Sequence, residues 1–127
     1  MRILVDTNRI IAAMIKAGTT RNILFDENFD FVTPDYTITE IREHEDELLK
    51  KTKLTTEEFE VLLALIFEHI TIIPFSEYES FINECKNDIS DKGDIPHLAA
   101  CLASNAYGIW AHIFIFWNST KLKSSQT

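Results

Sequence analysis

The sequence predicts an α/β domain built on a parallel sheet with helices over both faces. Three observations carry that expectation. Four short apolar runs recur along the chain, at residues 3–5, 29–33, 70–73 and 107–111, and Asp6, Pro34 and Pro74 close the first three. The stretches between them have helical spacing of apolar residues. Strand and helix patterns alternate from end to end, which lays parallel strands side by side and sends each connecting helix across a face of the sheet.

The elements follow in order. Ile3 to Val5 reads as a buried strand. A helix is expected from about Arg9 to Lys16, with Ile10, Ile11 and Met14 on one face, and Gly18 stops it. A short helix covers Arg21 to Asp26. Phe29 to Thr33 is the second strand. A long, strongly charged helix is expected from about Ile38 to Lys50. Thr55 and Glu58 have the spacing of a capping box, which opens a helix to about Glu68. Ile70 to Ile73 is the third strand. Ser76 and Glu79 have the same capping spacing, for a helix to about Lys86. Asp94, Ile95 and Pro96 open a further helix through about Ser104, with proline tolerated in its first turn. Tyr107 to Ala111 is the fourth strand. The domain is expected to span residues 1–117, ending in the bulky apolar run from Ile113 to Trp117. Residues 118–127 are polar and lack any period, so they read as an irregular or disordered tail.

Composition narrows the class. The 127 residues fit one domain, and 46% hydrophobic content supports a core without disulfides. Only three Gly and three Pro are present, too few for a long flexible linker. Twelve basic residues against 20 acidic ones leave a net charge of −8. That argues against nucleic-acid binding by charge attraction alone, which needs a basic surface. It is compatible with an enzyme that handles nucleic acid through bound cations. Cys85 and Cys101 lie in apolar helical contexts and read as buried reduced thiols. The opening MRILVDTN lacks a signal-peptide pattern, and no apolar run reaches the roughly 18 residues of a membrane span. A cytoplasmic protein is expected.

Few residues are placed for chemistry. Asp6 sits where the first strand passes into a helix, at the carboxyl edge where open α/β sheets bind ligands. It reads equally as a helix N-cap. Glu40 lies on the first turn of the third helix, where Thr37 and Glu40 also have capping-box spacing. Asp91 and Asp94 flank Lys92 and Gly93 at the start of another helix. Either could cap it, and together they could share a divalent cation through oxygen ligands. Carboxylates gathered at one edge repel one another unless cations are bound. Metal-assisted phosphodiester hydrolysis needs such a cluster. His97 and His112 lack the spacing of a zinc site. Gly18, Gly93 and Gly108 stand alone, so no phosphate loop is present. The residues from Glu43 to Glu47 read as a solvated helix face, and Phe59 to Phe67 as core or a dimer surface.

With these residues in place, the chain resembles the PIN-domain family, which includes the VapC-type toxins of prokaryotic toxin–antitoxin pairs. ILVDTN, with Asp6 and Asn8, resembles the family's first strand and first acid. TITEI, with Glu40, resembles its second acid. DKGDIPHLAACLASNAYGIW resembles its acid–helix–strand segment, with Asp94 as third acid and Asp91 as an accessory one. The resemblance covers residues 1–112 in order. It implies a three-layer α/β/α sandwich and Mg²⁺- or Mn²⁺-dependent ribonuclease activity. It also implies a homodimer and often an antitoxin partner. Family members usually place an aspartate directly after the residue matching His112. Ile113 stands there, so the fourth acid is missing, and so is the final strand usually found beyond it.

The expected site therefore has Asp6, Glu40 and Asp94 as catalytic residues, Asp6, Glu40, Asp91 and Asp94 as metal ligands, and Asn8 orienting Asp6 or touching substrate. Its activity is expected to be impaired by the missing acid. Two rivals stay open. One is a PIN-like domain that serves in binding or assembly without cutting RNA. The other is a Mg²⁺-dependent α/β phosphohydrolase acting on small phosphates through Asp6. From Ile113 onward the residues also read like a shifted frame. Back-translation with one base inserted after the His112 codon allows DFHFLEQHKIKVFTN, which restores an aspartate after His112.

Overall fold

A computed structural model describes residues 1–86, 92–111 and 115–117. The strands are β1 (Arg2–Val5), β2 (Asp30–Pro34), β3 (Ile70–Ile73), β4 (Gly108–Trp110) and β5 (Ile115–Trp117). They form one sheet in the order β3-β2-β1-β4-β5. The first four are mutually parallel, and β5 runs antiparallel to β4. The helices are α1 (Thr7–Ile15), α2 (Thr19–Leu24), α3 (Tyr36–Glu43), α4 (Glu45–Thr52), α5 (Thr56–Phe67), α6 (Phe75–Tyr78), α7 (Ile82–Lys86) and α8 (Ile95–Ala103).

Neighbouring strand residues point to opposite faces, and both faces are covered. Val5 and Phe31 join Ile10, Met14, Ile41, Phe59 and Ile66 in a core beneath α1, α3 and α5. Leu4 and Val32 join Ile73, Tyr78, Leu98 and Cys101 in a second core beneath α6 and α8. Leu4 and Val5 are both 0% exposed. Burying such a side chain is worth about 1.5–3 kcal/mol, so β1 is anchored from both sides. The result is the expected three-layer α/β/α sandwich. Both cysteines are buried and free. Burial first, and the neighbouring Cys85 second, push the Cys101 thiol up to about 12. Among the described residues, no helix is long and apolar enough to cross a membrane.

Three elements differ from the sequence expectation. The long helix over 38–50 is two helices that meet at His44. Glu45, Asp46 and Glu47 fall in the first turn of α4, and three acids suit a helix N-terminus better than an interior. The helix expected from Ser76 is instead α6, a 3₁₀ turn over Glu79–Phe81, and α7. Ser76 caps nothing, because the N-cap position is Pro74. A distant residue does that work. The Asp35 carboxylate accepts the Phe75 N–H at 3.0 Å and the Tyr78 hydroxyl at 2.7 Å. Finally, part of the apolar run after β4 forms β5, so this edge carries a strand where the family's last one was expected to be missing. Antiparallel pairing needs only a short connection.

Candidate active site

The parallel strands point their carboxyl ends at one edge, where α1, α3 and α8 begin. The local sequence sets each helix start. Asp6 has extended backbone and caps α1, its Oδ1 accepting the Arg9 N–H at 3.0 Å. The cap reading of Asp6 therefore holds. It does not use up the residue, because a carboxylate has two oxygens and several acceptor positions. The Asp6 backbone N–H donates to the Trp110 carbonyl at 3.2 Å, which ties this helix start to the end of β4.

Glu40 is placed differently from the capping expectation. Asp35 occupies the N-cap position of α3, with no side-chain cap bond there. Thr37 is buried within the helix, and its hydroxyl lies 2.7 Å from that of Thr33. Thr33 gives its single hydroxyl proton to the Val5 carbonyl at 2.9 Å, so Thr37 is the donor between the two. This leaves Glu40 to turn toward α1 and α8. Its Oε1 accepts the Thr7 hydroxyl at 2.6 Å and lies 3.1 Å from Nε2 of His97. Nε2 also stands 3.3 Å from the Thr7 hydroxyl. A carboxylate only accepts, so Nε2 carries a proton. Nδ1 of His97 is buried and has no hydrogen-bond partner, which suits the Nε2–H tautomer. The Tyr36 ring and the imidazole meet in an edge-type contact, with ring centroids 6.3 Å apart.

The electrostatics follow from these contacts. Burial pushes the Glu40 pKa upward, but the His97 and Thr7 hydrogen bonds and the nearby imidazoles outweigh it. The net shift is downward, so Glu40 is an anion at neutral pH. Its side chain is 25% exposed and that of His97 is 7% exposed. A fixed negative charge thus sits half-buried at the meeting of three helix starts.

The structure links Glu40 to neighbours of the other expected acids, Thr7 beside Asp6 and His97 one turn after Asp94. Thr7, the neighbour of Asp6, binds Glu40 directly. His97 binds Glu40 from α8, one turn after Asp94, the N-cap of that helix. Asp94 is exposed at the end of a short 3₁₀ turn over Lys92–Asp94. Asn8 is exposed on the first turn of α1. Asp91, His112 and Ile113 lie outside the described residues. Sequence reasoning overlooked Thr7 and set His97 aside for lack of zinc spacing. The available signal was the three-residue step from Asp94 to His97, which stacks both on one side of a helix.

Hard oxygen donors suit Mg²⁺ or Mn²⁺ rather than zinc. Asp6, Glu40 and Asp94 are such donors, and Glu40 is already held ionised. Among the described residues, no three His, Cys, Asp or Glu side chains stand together as a ready-made metal cluster. The donor chemistry therefore fits such an ion, while the linkage runs through Thr7 and His97. In comparisons with known proteins, a family model described as PIN domain matches residues 4–113, far more than half of the chain. No curated protein matches the chain.

Proposed function

Because the chain belongs to the PIN domain family, we propose that it is a metal-dependent endoribonuclease in which Asp6, Glu40 and Asp94, assisted by Asp91, hold Mg²⁺ or Mn²⁺. The observation that carries this reading is the Glu40 carboxylate, drawn to the carboxyl end of the sheet by Thr7 and His97. When bound, such an ion lowers the pKa of water and offsets charge on the scissile phosphate. The residues do the rest. Thr7 and His97 fix one oxygen of Glu40, which orients the other. Asp6 is held by the first turn of α1. Asn8, exposed one turn position away, touches substrate or orients Asp6. The chain's acidity makes a cation essential for a polyanionic substrate to approach these carboxylates.

A second reading, a PIN-like binding or assembly domain without cleavage, is favoured by Ile113 standing where the family places its fourth acid. A third, hydrolysis of small phosphates through Asp6, shares the same edge. A cytoplasmic location, an antitoxin partner and a homodimer belong to the proposal. Val61 and Leu65 on α5 are 60% and 47% exposed, and a second copy of the chain would cover them.

Cleavage of single-stranded RNA, and of a small phosphate ester, in Mn²⁺ with and without EDTA tests these readings. RNA should be cut only with the metal. Asp6→Asn should abolish cutting while the melting transition stays cooperative. An Asp6→Asn protein that cuts at the parent rate would refute the metal site. Cleavage of the ester alone would select the phosphohydrolase, and cleavage of neither would select the binding domain.

A further inference from the structure

We propose that Thr33 and Thr37 are positioning residues. With Thr7 they form a buried hydroxyl clamp that fixes the spacing between Asp6 and Glu40, and so favours a small ion such as Mg²⁺ over Ca²⁺. The inference deepens the metal-dependent reading and rests on it for the ion.

Three observations carry it. The first is where buried polarity collects. Leaving aside Tyr78 and the cysteines, five polar side chains are buried among the described residues, and four of them, Thr7, Thr33, Thr37 and His97, adjoin one another. Burying a hydroxyl costs free energy unless it is hydrogen-bonded, and valine has nearly the shape of threonine. A core that needed only volume would have no use for three hydroxyls here.

The second is connectivity. Thr33 stands near the end of β2, and its hydroxyl donates to the Val5 carbonyl at 2.9 Å. That carbonyl belongs to the peptide bond leading into Asp6. Thr37, on the first turn of α3, donates to Thr33 at 2.7 Å. Glu40 follows three residues later on the same side of the helix, and its Oε1 accepts the Thr7 hydroxyl at 2.6 Å. Thr7 comes directly after Asp6, and its hydroxyl is 3.4 Å from that of Thr37. The path therefore starts and ends beside Asp6 and passes through Glu40. Each hydroxyl has one proton, and each proton has its own acceptor: the Val5 carbonyl, Thr33 and Glu40.

The third is burial. Thr33 and Thr37 are both 0% exposed, so water cannot take over either bond. A fully satisfied buried network holds one arrangement. The bond from Thr37 fixes how α3 is turned about its axis, which sets where Glu40 projects. Such rigidity matters to an ion. Mg²⁺ demands near-ideal octahedral geometry at about 2.0–2.1 Å, whereas Ca²⁺ accepts flexible arrangements at about 2.3–2.6 Å. Loosening the clamp therefore penalises Mg²⁺ more than Ca²⁺.

The experiment uses the full chain and needs no RNA. Mn²⁺ is titrated and its free fraction is read by electron paramagnetic resonance. Mg²⁺ and Ca²⁺ are read by their displacement of Mn²⁺. Thr37→Val and Thr33→Val each remove one hydroxyl and keep the volume. Each should weaken Mn²⁺ and Mg²⁺ binding about tenfold, the low end for residues that hold a metal ligand, and Ca²⁺ binding far less, with cooperative melting retained. Thr37→Ala replaces a valine variant that does not melt cooperatively. Thr37→Ser keeps the hydroxyl and should bind like the parent. The double valine variant should bind no more weakly than either single one, because the two hydroxyls act in series. Ser104→Ala removes the fifth buried polar side chain, at the far end of α8, and should leave every affinity unchanged. Unchanged Mg²⁺ affinity in the variants lacking a hydroxyl overturns the inference. So do equal losses for Mg²⁺ and Ca²⁺, a Thr37→Ser protein that binds as weakly as Thr37→Val, or a parent that binds none of these ions. The two readings separate. Clamp-dependent ion binding by a parent chain that never cuts RNA sinks the nuclease alone. Mn²⁺-dependent RNA cleavage with ion affinities indifferent to Thr33 and Thr37 sinks the clamp alone.

Discussion

Glu40 and Arg42 are two residues apart on α3 and face different worlds. Glu40 turns inward to Thr7 and His97, with its side chain 25% exposed and that of His97 only 7%. Arg42 turns outward, bridging Glu45 and Glu60 with side chains 44%, 29% and 45% exposed. Both contacts lower a carboxyl pKa. The Arg42 hydrogen bond lowers that of Glu60, and the His97 and Thr7 bonds lower that of Glu40 against the opposing effect of burial. The shift alone does not separate a functional acid from a surface bridge. Surroundings do. Water and salt screen the outer bridge, whereas the inner carboxylate is held by buried donors that cannot relax away without being left unsatisfied. Such an arrangement fixes where a negative charge sits, which is what ion binding needs.

The largest test of that contrast is at Glu40. Glu40→Gln keeps an oxygen for Thr7 and His97 but removes the charge. Mn²⁺-dependent cleavage should fall at least about a hundredfold, beyond the loss typical for partners of metal ligands, while the fold survives with a modestly lower melting temperature near pH 7. Glu40→Ala should lose cleavage too, and should also cost about 1–3 kcal/mol of stability by stranding two buried donors. His97→Gln should fall between, weakening Mn²⁺ binding about 10- to 100-fold as read by titration of a bound probe ion. The same Gln substitution at Glu60 should alter none of these readouts. Equal effects at positions 40 and 60 would erase the distinction.

Acid titration sharpens it further. The folded pKa of Glu40 lies below its ordinary value of 4.5. A depressed carboxyl pKa adds stability that is present above the unfolded value and is lost as pH falls through the folded one. The denaturation midpoint of the parent should therefore exceed that of Glu40→Gln near pH 7 by a margin that closes in the acid range below about 4.5. A margin that grows toward acid would show that Glu40 is not held as an anion.

The sequence made the strands readable and the site only half so. Ile3–Val5 and Ile70–Ile73 were legible because a buried parallel strand is a continuous apolar run. Asp6, Glu40 and Asp94 were legible as acids at element boundaries. What stayed hidden was tertiary. The spacing of Thr37 and Glu40 fits a capping box, yet Thr37 bonds Thr33 on another element and frees Glu40. Ser76 and Glu79 have the same spacing, yet Asp35, distant in sequence, supplies the cap. By contrast, the box of Thr55 and Glu58 forms as expected, with both reciprocal bonds present. Local spacing predicts a cap only where no buried partner competes for the side chain. His97 was missed for a related reason. Judged as a zinc ligand it has no companions, but as a donor to a carboxylate it needs only one.

The smallest expected effect is at Arg42, and it bears on the comparison from the other side. Its guanidinium reaches Glu45 at the start of α4 and Glu60 on α5, so it spans three helices and looks structural. Holding long side chains in one geometry costs rotamer entropy, and exposed pairs recover little of it. Arg42→Ala should move the melting temperature by no more than repeat scatter in moderate salt, and any difference should vanish in 1 M salt, where screening acts within about 3 Å. The margin between the parent and Glu40→Gln should survive the same salt, because its partners are buried. Glu45 is the less exposed of the two outer acids, so any loss of stability that persists in high salt should come from Glu45→Gln and none from Glu60→Gln. If Arg42→Ala instead destabilised the chain strongly and the loss persisted in 1 M salt, the outer bridge would rank with the inner one as a fixed element. Charge placement at Glu40 would then no longer be distinctive.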